Sequence, residues 1–122
     1  MPATREHRRH VVCGAHEIAP GDRRIVEVAG RSVGIFNVAG RFYALLNRCP
    51  HRGGALCEGP ICGTALPTEG RMYAYGRDGE VLRCAWHGWE FEIESGRSIV
   101  DSRLRAKTFP VTLEDGAVVV HI

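Results

Sequence analysis

An all-β fold, an antiparallel sandwich or partly open barrel, is what this sequence predicts, on three observations. Apolar and polar residues alternate over short runs, the period of a strand with one face on a core. Turn signals built on glycine punctuate those runs, and the unit Val-Ala-Gly-Arg occurs at 28–31 and again at 38–41. Almost no stretch carries a helical apolar period. The 15 glycines and 6 prolines suit a chain of short strands and many turns.

Taken in order, residues 11–18 open as a strand, followed by the turn Pro20-Gly21-Asp22. Residues 24–28, 31–38 and 41–46 read as three further strands. They are joined at Ala29-Gly30 and Ala39-Gly40, where glycine supplies the positive φ of a tight hairpin. This three-stranded meander delivers the chain to Cys49. Beyond it, residues 81–83 and 89–93 look like short strands, with Ser95-Gly96 as a turn. At the end, 109–113 and 117–122 flank Glu114-Asp115-Gly116 as a terminal hairpin.

Composition bounds the function. With 122 residues the chain is expected to form one domain with a modest core. A net charge of +2 is too small to argue for nucleic acid or an anionic membrane. Arg5, Arg8 and Arg9, with His7 and His10, make the first ten residues a basic, solvated arm. No apolar run follows that arm, and none approaches a membrane span, so a cytoplasmic protein is the expectation. Five cysteines are an odd count, which argues against a disulfide framework. Cys13 lies in an apolar run and is expected to be a small buried side chain. Cys57 and Cys62 are expected to be thiols.

Two motifs carry the chemistry. Cys49-Pro50-His51 and Cys84-Ala85-Trp86-His87 each supply one thiolate and one imidazole on a tight, glycine-flanked loop. The pair can close around one metal centre. The combination C-x-H with C-x-x-H points to an iron–sulfur cluster in which two histidines replace two cysteines on one iron. His7, His10, His16 and His121 lack a ligand-like spacing.

With their flanks, Cys49-Pro50-His51-Arg52-Gly53-Gly54 and Cys84-Ala85-Trp86-His87-Gly88-Trp89-Glu90-Phe91 resemble the two cluster loops of Rieske [2Fe–2S] domains. The resemblance is nearest to the ferredoxins and N-terminal domains that serve aromatic-ring oxygenases. It continues through Ser95-Gly96-Arg97 and Phe109-Pro110-Val111, and so covers most of residues 11–122. It implies one [2Fe–2S] cluster, with Cys49 and Cys84 on one iron and His51 and His87 on the other. It also implies a single domain over 11–122 in which a small cluster-binding subdomain, about 47–92, sits on a β-sandwich base. Gly53 and Gly88 would let backbone N–H groups approach the sulfides, and Pro50 would stiffen the first loop. Trp86 and Trp89 would shield the cluster and tie it to the sheet, or serve as plain core.

The ligand set has an electrostatic consequence. Two thiolates neutralise an oxidised [Fe₂S₂] core, whereas four would leave it doubly negative and harder to reduce. Mixed ligation therefore raises the potential into a range of roughly −150 to +300 mV. High-potential relatives carry a disulfide between the loops and a serine two residues after the second ligand histidine. Here Ala85 and Trp89 stand at those places, which predicts a low-potential centre.

The functional expectation is a one-electron carrier from a reductase to a terminal oxygenase or other oxidoreductase, docking near His51 and His87. The chain has no glycine-rich nucleotide fingerprint and no second 2-His-1-carboxylate set, so catalysis of its own is not expected. Two alternatives stay open. One is a tightly bound small subunit of a larger redox enzyme, such as a nitrite reductase-like or oxygenase complex. The other is a structural zinc domain. One departure from the family pattern stands out. The motifs are 32 residues apart (52–83), longer than the oxygenase-type ferredoxins use, and the excess falls in an extended loop at about 57–80. That loop reads as a surface excursion, as a partner-recognition element, or as a second metal pair at Cys57 and Cys62.

Overall fold

The computed structural model describes residues 8–50, 54–67, 73–84, 89–99 and 103–122, and for 63–67 and 73–78 the backbone alone. Among the described residues, ten strands form three antiparallel sheets. β1 (Arg9–Gly14), β10 (Ala117–His121) and β9 (Val111–Glu114) make the first, in the order β1-β10-β9. The second is β2 (Arg23–Val28), β3 (Arg31–Val38), β4 (Arg41–Leu46) and β8 (Thr108–Phe109), in that order. β5 (Ile61–Pro67), β6 (Tyr73–Arg83) and β7 (Glu90–Glu92) make the third. The expected all-β architecture is the one observed. Among the described residues no helix is long and apolar enough to cross a membrane.

The meander forms as expected. β2 pairs with β3 from Arg23↔Phe36 to Val28↔Arg31, and β3 with β4 from Val33↔Leu46 to Val38↔Arg41. Both connections hold two residues at positive φ: Ala29 at 52° with Gly30 at 77°, and Ala39 at 52° with Gly40 at 92°. Positive φ at both central positions matches the strand twist, which ordinary turns would splay. Asp115 at 52° and Gly116 at 77° repeat the device in the terminal hairpin.

β3 is the hub. Val33, Gly34, Ile35, Phe36 and Asn37 are all buried, so this strand faces a core on both sides. Val33 and Ile35 join Val28, Ala44, Phe109, Val118 and Val120 in the core shared with the first sheet. Phe36 joins Leu45, Leu56, Leu82, Phe91 and Ile93 in a second core, which also contains Cys49 and Cys84. Both cysteine-bearing ends are thus seated on one face of the meander, with the first sheet on the other.

Several boundaries differ from the sequence reading. β1 begins at Arg9, so Arg9 and His10 leave the expected arm and pair with His121 and Val120. The partner strand is at the other end of the chain, where a local pattern cannot reveal it. β1 ends at Gly14, and a 3₁₀ turn over Ala15–Glu17 follows, held by the Gly14 N–H donating to Glu17 Oε2 at 2.6 Å. The expected strand over 109–113 is broken at Pro110. Phe109 pairs with Ala44 in the second sheet, while Val111 pairs with Val120 in the first. Proline has no N–H for a ladder, and here it marks the crossing between sheets.

The largest correction concerns residues 57–80. They are a 3₁₀ turn (Leu56–Glu58) and a strand pair, not an extended loop: β5 and β6 pair from Ile61↔Leu82 to Pro67↔Tyr73, with a shift in register between Cys62 and Thr64. The ladder satisfies the backbone whatever the side chains do, so glycines and polar residues hid these strands from a pattern search. Residues 68–72 lie outside the described residues.

Candidate metal centre

Cys49 follows β4 and Cys84 follows β6, and both are buried at 1% exposure. Each opens a loop closed in the same way. The Cys49 N–H donates to the Gly54 carbonyl at 2.7 Å, and the Cys84 N–H donates to the Trp89 carbonyl at 2.8 Å. In both cases the acceptor lies five residues on, so four residues are pinched out between donor and acceptor. The pinched residues are 50–53 and 85–88, the stretches that hold the two candidate histidines. His51, Gly53, Trp86, His87 and Gly88, with Ala85, lie outside the described residues. Pro50 is an exposed turn residue directly after Cys49, and Trp89 packs on the core that holds both cysteines.

The 3₁₀ turn Leu56–Glu58 fastens the first loop to the meander and to the second loop. Cys57 is fully buried and is held at every polar point. Its N–H donates to Asn47 Oδ1 at 2.8 Å, and its thiol donates to the Leu45 carbonyl at 3.5 Å. Arg23 Nη1 donates to the Cys57 carbonyl at 2.8 Å and also to the Gly59 carbonyl. The side chain of Cys57 occupies the hollow left by Gly34, where an added Cβ would sit 2.6 Å from its Sγ. Gly59 in turn lies against the chain entering the second loop. A Cβ there would fall 1.8 Å from the Arg83 carbonyl oxygen, and the Arg83 N–H donates to the Pro60 carbonyl at 2.9 Å.

This setting decides what the other cysteines do. Burial pushes the Cys57 thiol up to about 12, against a weaker opposing pull from its hydrogen bonding with Gly34 and the Arg23 charge. So held, Cys57 packs the turn against β3, with its thiol donating to the Leu45 carbonyl. Cys13 is buried, as expected, and burial raises its thiol as well. Cys62 is half-buried on β5. Sequence reasoning missed Gly34, Asn47, Arg23 and Gly59, the residues that hold the first loop. Only the glycines left a trace in the sequence, since Gly34 interrupts an otherwise apolar strand.

Two cysteines buried in one core of a three-sheet β fold, each opening a backbone-closed motif whose sequence includes a histidine, mark a candidate metal-binding domain. The Rieske [2Fe-2S] domain model matches residues 8–110, and the chain belongs to that family. Its resident group is one [2Fe–2S] cluster. The chain is 30% identical over 109 residues to the ferredoxin component of an alkene monooxygenase system of Xanthobacter autotrophicus, covering 89% of this chain and 77% of that protein. It is 29% identical over 117 residues to the terminal oxygenase component of a carbazole 1,9a-dioxygenase of a Sphingomonas species. That match covers 88% of this chain and 27% of that protein. Among solved structures, the complex of reduced oxygenase and oxidised ferredoxin in carbazole 1,9a-dioxygenase contains a similar chain at 26% identity. There the TM-score is 0.72, with 93% of this chain and 92% of that one covered.

The described residues fit the cluster. The two thiols are shielded from water, and the apolar side chains of Phe36, Leu45, Leu82 and Phe91 share their core. Backbone closures tie Cys49 to Gly54 and Cys84 to Trp89.

Proposed function

We propose that this protein is a Rieske-type ferredoxin carrying one electron at a time from a reductase to a terminal oxygenase or another oxidoreductase. Cys49 and Cys84 bind one iron, and His51 and His87 bind the other. When bound, the cluster supplies a one-electron couple. The observation that carries the reading is the pair of cysteines, both buried at 1%, each at the mouth of a loop pinched by the same backbone bond. Burial on the cysteine side leaves the histidine side as the exit for electrons, and partners dock there.

Low potential belongs to the same reading. With Ala85 between the second cysteine and Trp86, and Trp89 two residues after His87, neither a loop-to-loop disulfide nor a serine donor raises the potential. The unit holding the cluster is residues 47–92, which includes the β5–β6 pair. The match to a terminal oxygenase component supports a second reading, in which the domain works as a fixed part of a larger redox enzyme.

The test is an EPR spectrum before and after dithionite, with iron and sulfide counted on the same sample. Two irons and two sulfides per chain with a rhombic reduced-state signal averaging near g ≈ 1.9 are expected for mixed ligation. His87→Cys should lower the midpoint potential, because a thiolate adds negative charge. A colourless protein holding zinc would overturn the reading.

A further inference from the structure

We propose that Arg23 is a positioning residue that also sets the midpoint potential: its guanidinium, bonded to the carbonyls of Cys57 and Gly59, favours the reduced protein. The inference rests on the carrier reading above and adds a residue outside both cysteine motifs.

Arg23 opens β2 and pairs with Phe36 on β3. Phe36 lies in the core that contains Cys49 and Cys84. Side chains directly opposite one another in an antiparallel pair share a face, so Arg23 stands on the cysteine side of the meander. There its Nη1 donates to the Cys57 carbonyl at 2.8 Å and to the Gly59 carbonyl. Gly59 in turn abuts the Arg83 carbonyl, one residue before Cys84. Arg24 takes the opposite face of the strand and pairs with Glu17 at 2.9 Å. Two neighbouring arginines thus have different surroundings.

Three observations give the Arg23 charge its reach. It is half-buried, and among the described residues it has no carboxylate partner. Asp22 beside it and Glu58 between its two acceptors are both exposed to water, and Asp22 Oδ1 accepts the Arg23 backbone N–H at 2.8 Å. The Cys57 thiol, buried in the same core as Cys49 and Cys84, already responds to this charge, which draws it down against the stronger effect of burial.

Reduction adds one electron, so a site that two thiolates leave neutral becomes singly negative. A fixed cation favours the negative state, and a half-buried one is screened less than a surface charge. Arg24, exposed and paired with Glu17, lacks that leverage. Loss of the grip alone acts the other way. Water entering a loosened core favours the charged, reduced form and raises the potential.

The test is redox titration of the cluster-loaded protein, followed by EPR, for wild type, Arg23→Gln, Arg23→Lys and Arg24→Gln, with urea midpoints on the same samples. Arg23→Gln is expected to lower the equilibrium constant for reduction about threefold, a fall of about 28 mV at about 59 mV per tenfold. Arg24→Gln removes the same charge from the same strand and should change that constant by less than about 1.5-fold. Arg23→Lys keeps the charge but not the planar fork. Its potential should therefore stay near wild type while its urea midpoint falls, as that of Arg23→Gln does.

Should Arg23→Gln fail to hold its cluster, the loaded Arg23→Lys protein carries the test. Lys107 is the native chain's single lysine. Acetylating wild type and Arg23→Lys side by side therefore isolates the charge at position 23, and the variant's reduction constant should fall about threefold further than that of wild type. Equal shifts in Arg23→Gln and Arg24→Gln, an unchanged or raised potential in Arg23→Gln, or equal shifts in the acetylated pair would overturn the proposal. So would a fall in Arg23→Lys as large as that in Arg23→Gln, which would leave Arg23 a structural clasp. A wild-type protein with no cluster signal would instead overturn the carrier reading, before any variant is compared.

Discussion

Gly59 shows how much one missing side chain can hold. Its Cα lies so close to the Arg83 carbonyl that an alanine methyl would meet the oxygen at 1.8 Å. No rotamer change relieves a clash with backbone, so the turn must shift away from the chain entering Cys84. Gly59→Ala is expected to cost about 3 kcal/mol, read as a lower midpoint in denaturant, and to speed cluster loss. Cys57, two residues earlier, makes a pH-dependent contribution. Its thiol has an ordinary value of 9.0 and is pushed up to about 12 by burial. A raised thiol keeps its proton in the folded state longer than in the unfolded chain. Its share of stability is therefore complete below about pH 9 and is lost as pH rises from 9 toward 12. The loss is on the order of 1 kcal/mol per pH unit in that window. Urea titrations at pH 8 and pH 10.5 should show a steeper fall for wild type than for Cys57→Ala. Alkylation of Cys57 in the folded protein at pH 8 should be undetectable.

At the scale of elements, the hairpins invite comparison with one another. All three two-residue turns adopt positive φ twice, yet two of them place alanine first where the third has Asp115. A Cβ in the left-handed region costs energy that asparagine and aspartate tolerate better. Ala29→Asn and Ala39→Asn are each expected to stabilise by about 0.5 kcal/mol, additively, as a rise in melting temperature with cluster content unchanged. Elements also set the limit of what the sequence discloses. β3 and β4 were legible to the residue, because glycine turns bound β3 at both ends and β4 at its start, and period-two alternation or continuous burial fills the middle. β5 and β6 were not. Their residues include Gly63, Gly76 and Gly79 with no sustained apolar face, and what makes them strands is each other. The cysteine motifs were legible because metal chemistry demands rare residues at fixed spacing. Arg23 and Asn47, which hold the first loop, were not, since polar residues at or just beyond the end of a strand ordinarily face water.

On the scale of the whole molecule, the two cores predict two levels of stability. The core between the first sheet and the meander contains Val28, Val33, Ile35, Phe109, Val118 and Val120, and neither candidate ligand cysteine. The core on the meander's other face includes Cys49 and Cys84. Stripping iron and sulfide should therefore loosen β5–β7 and the turn at 56–58 first, while β2–β4 and β10 remain protected. Hydrogen exchange of the metal-free protein would read this as faster exchange at 61–67 and 73–83 with little change at 33–38 and 118–120. Uniform loss of protection would instead make the domain a single cooperative unit. On the outside of the first sheet, Arg9 reaches across β10 to Glu114, and Thr112 Oγ1 lies 2.8 Å from His121 Nε2. Val119, on that outer face, is 0% exposed beneath this polar bridge.

The same sheet joins strands from opposite ends of the chain, with Arg9 to Gly14 laid against His121 to Ala117. During synthesis β1 emerges well before its partner. Val11, Val12 and Cys13 must therefore wait, unpaired, while the meander and both cysteine loops are made. The seam can close only once residues 117–121 have left the ribosome, so a chain stalled before residue 117 would hold β1 still open.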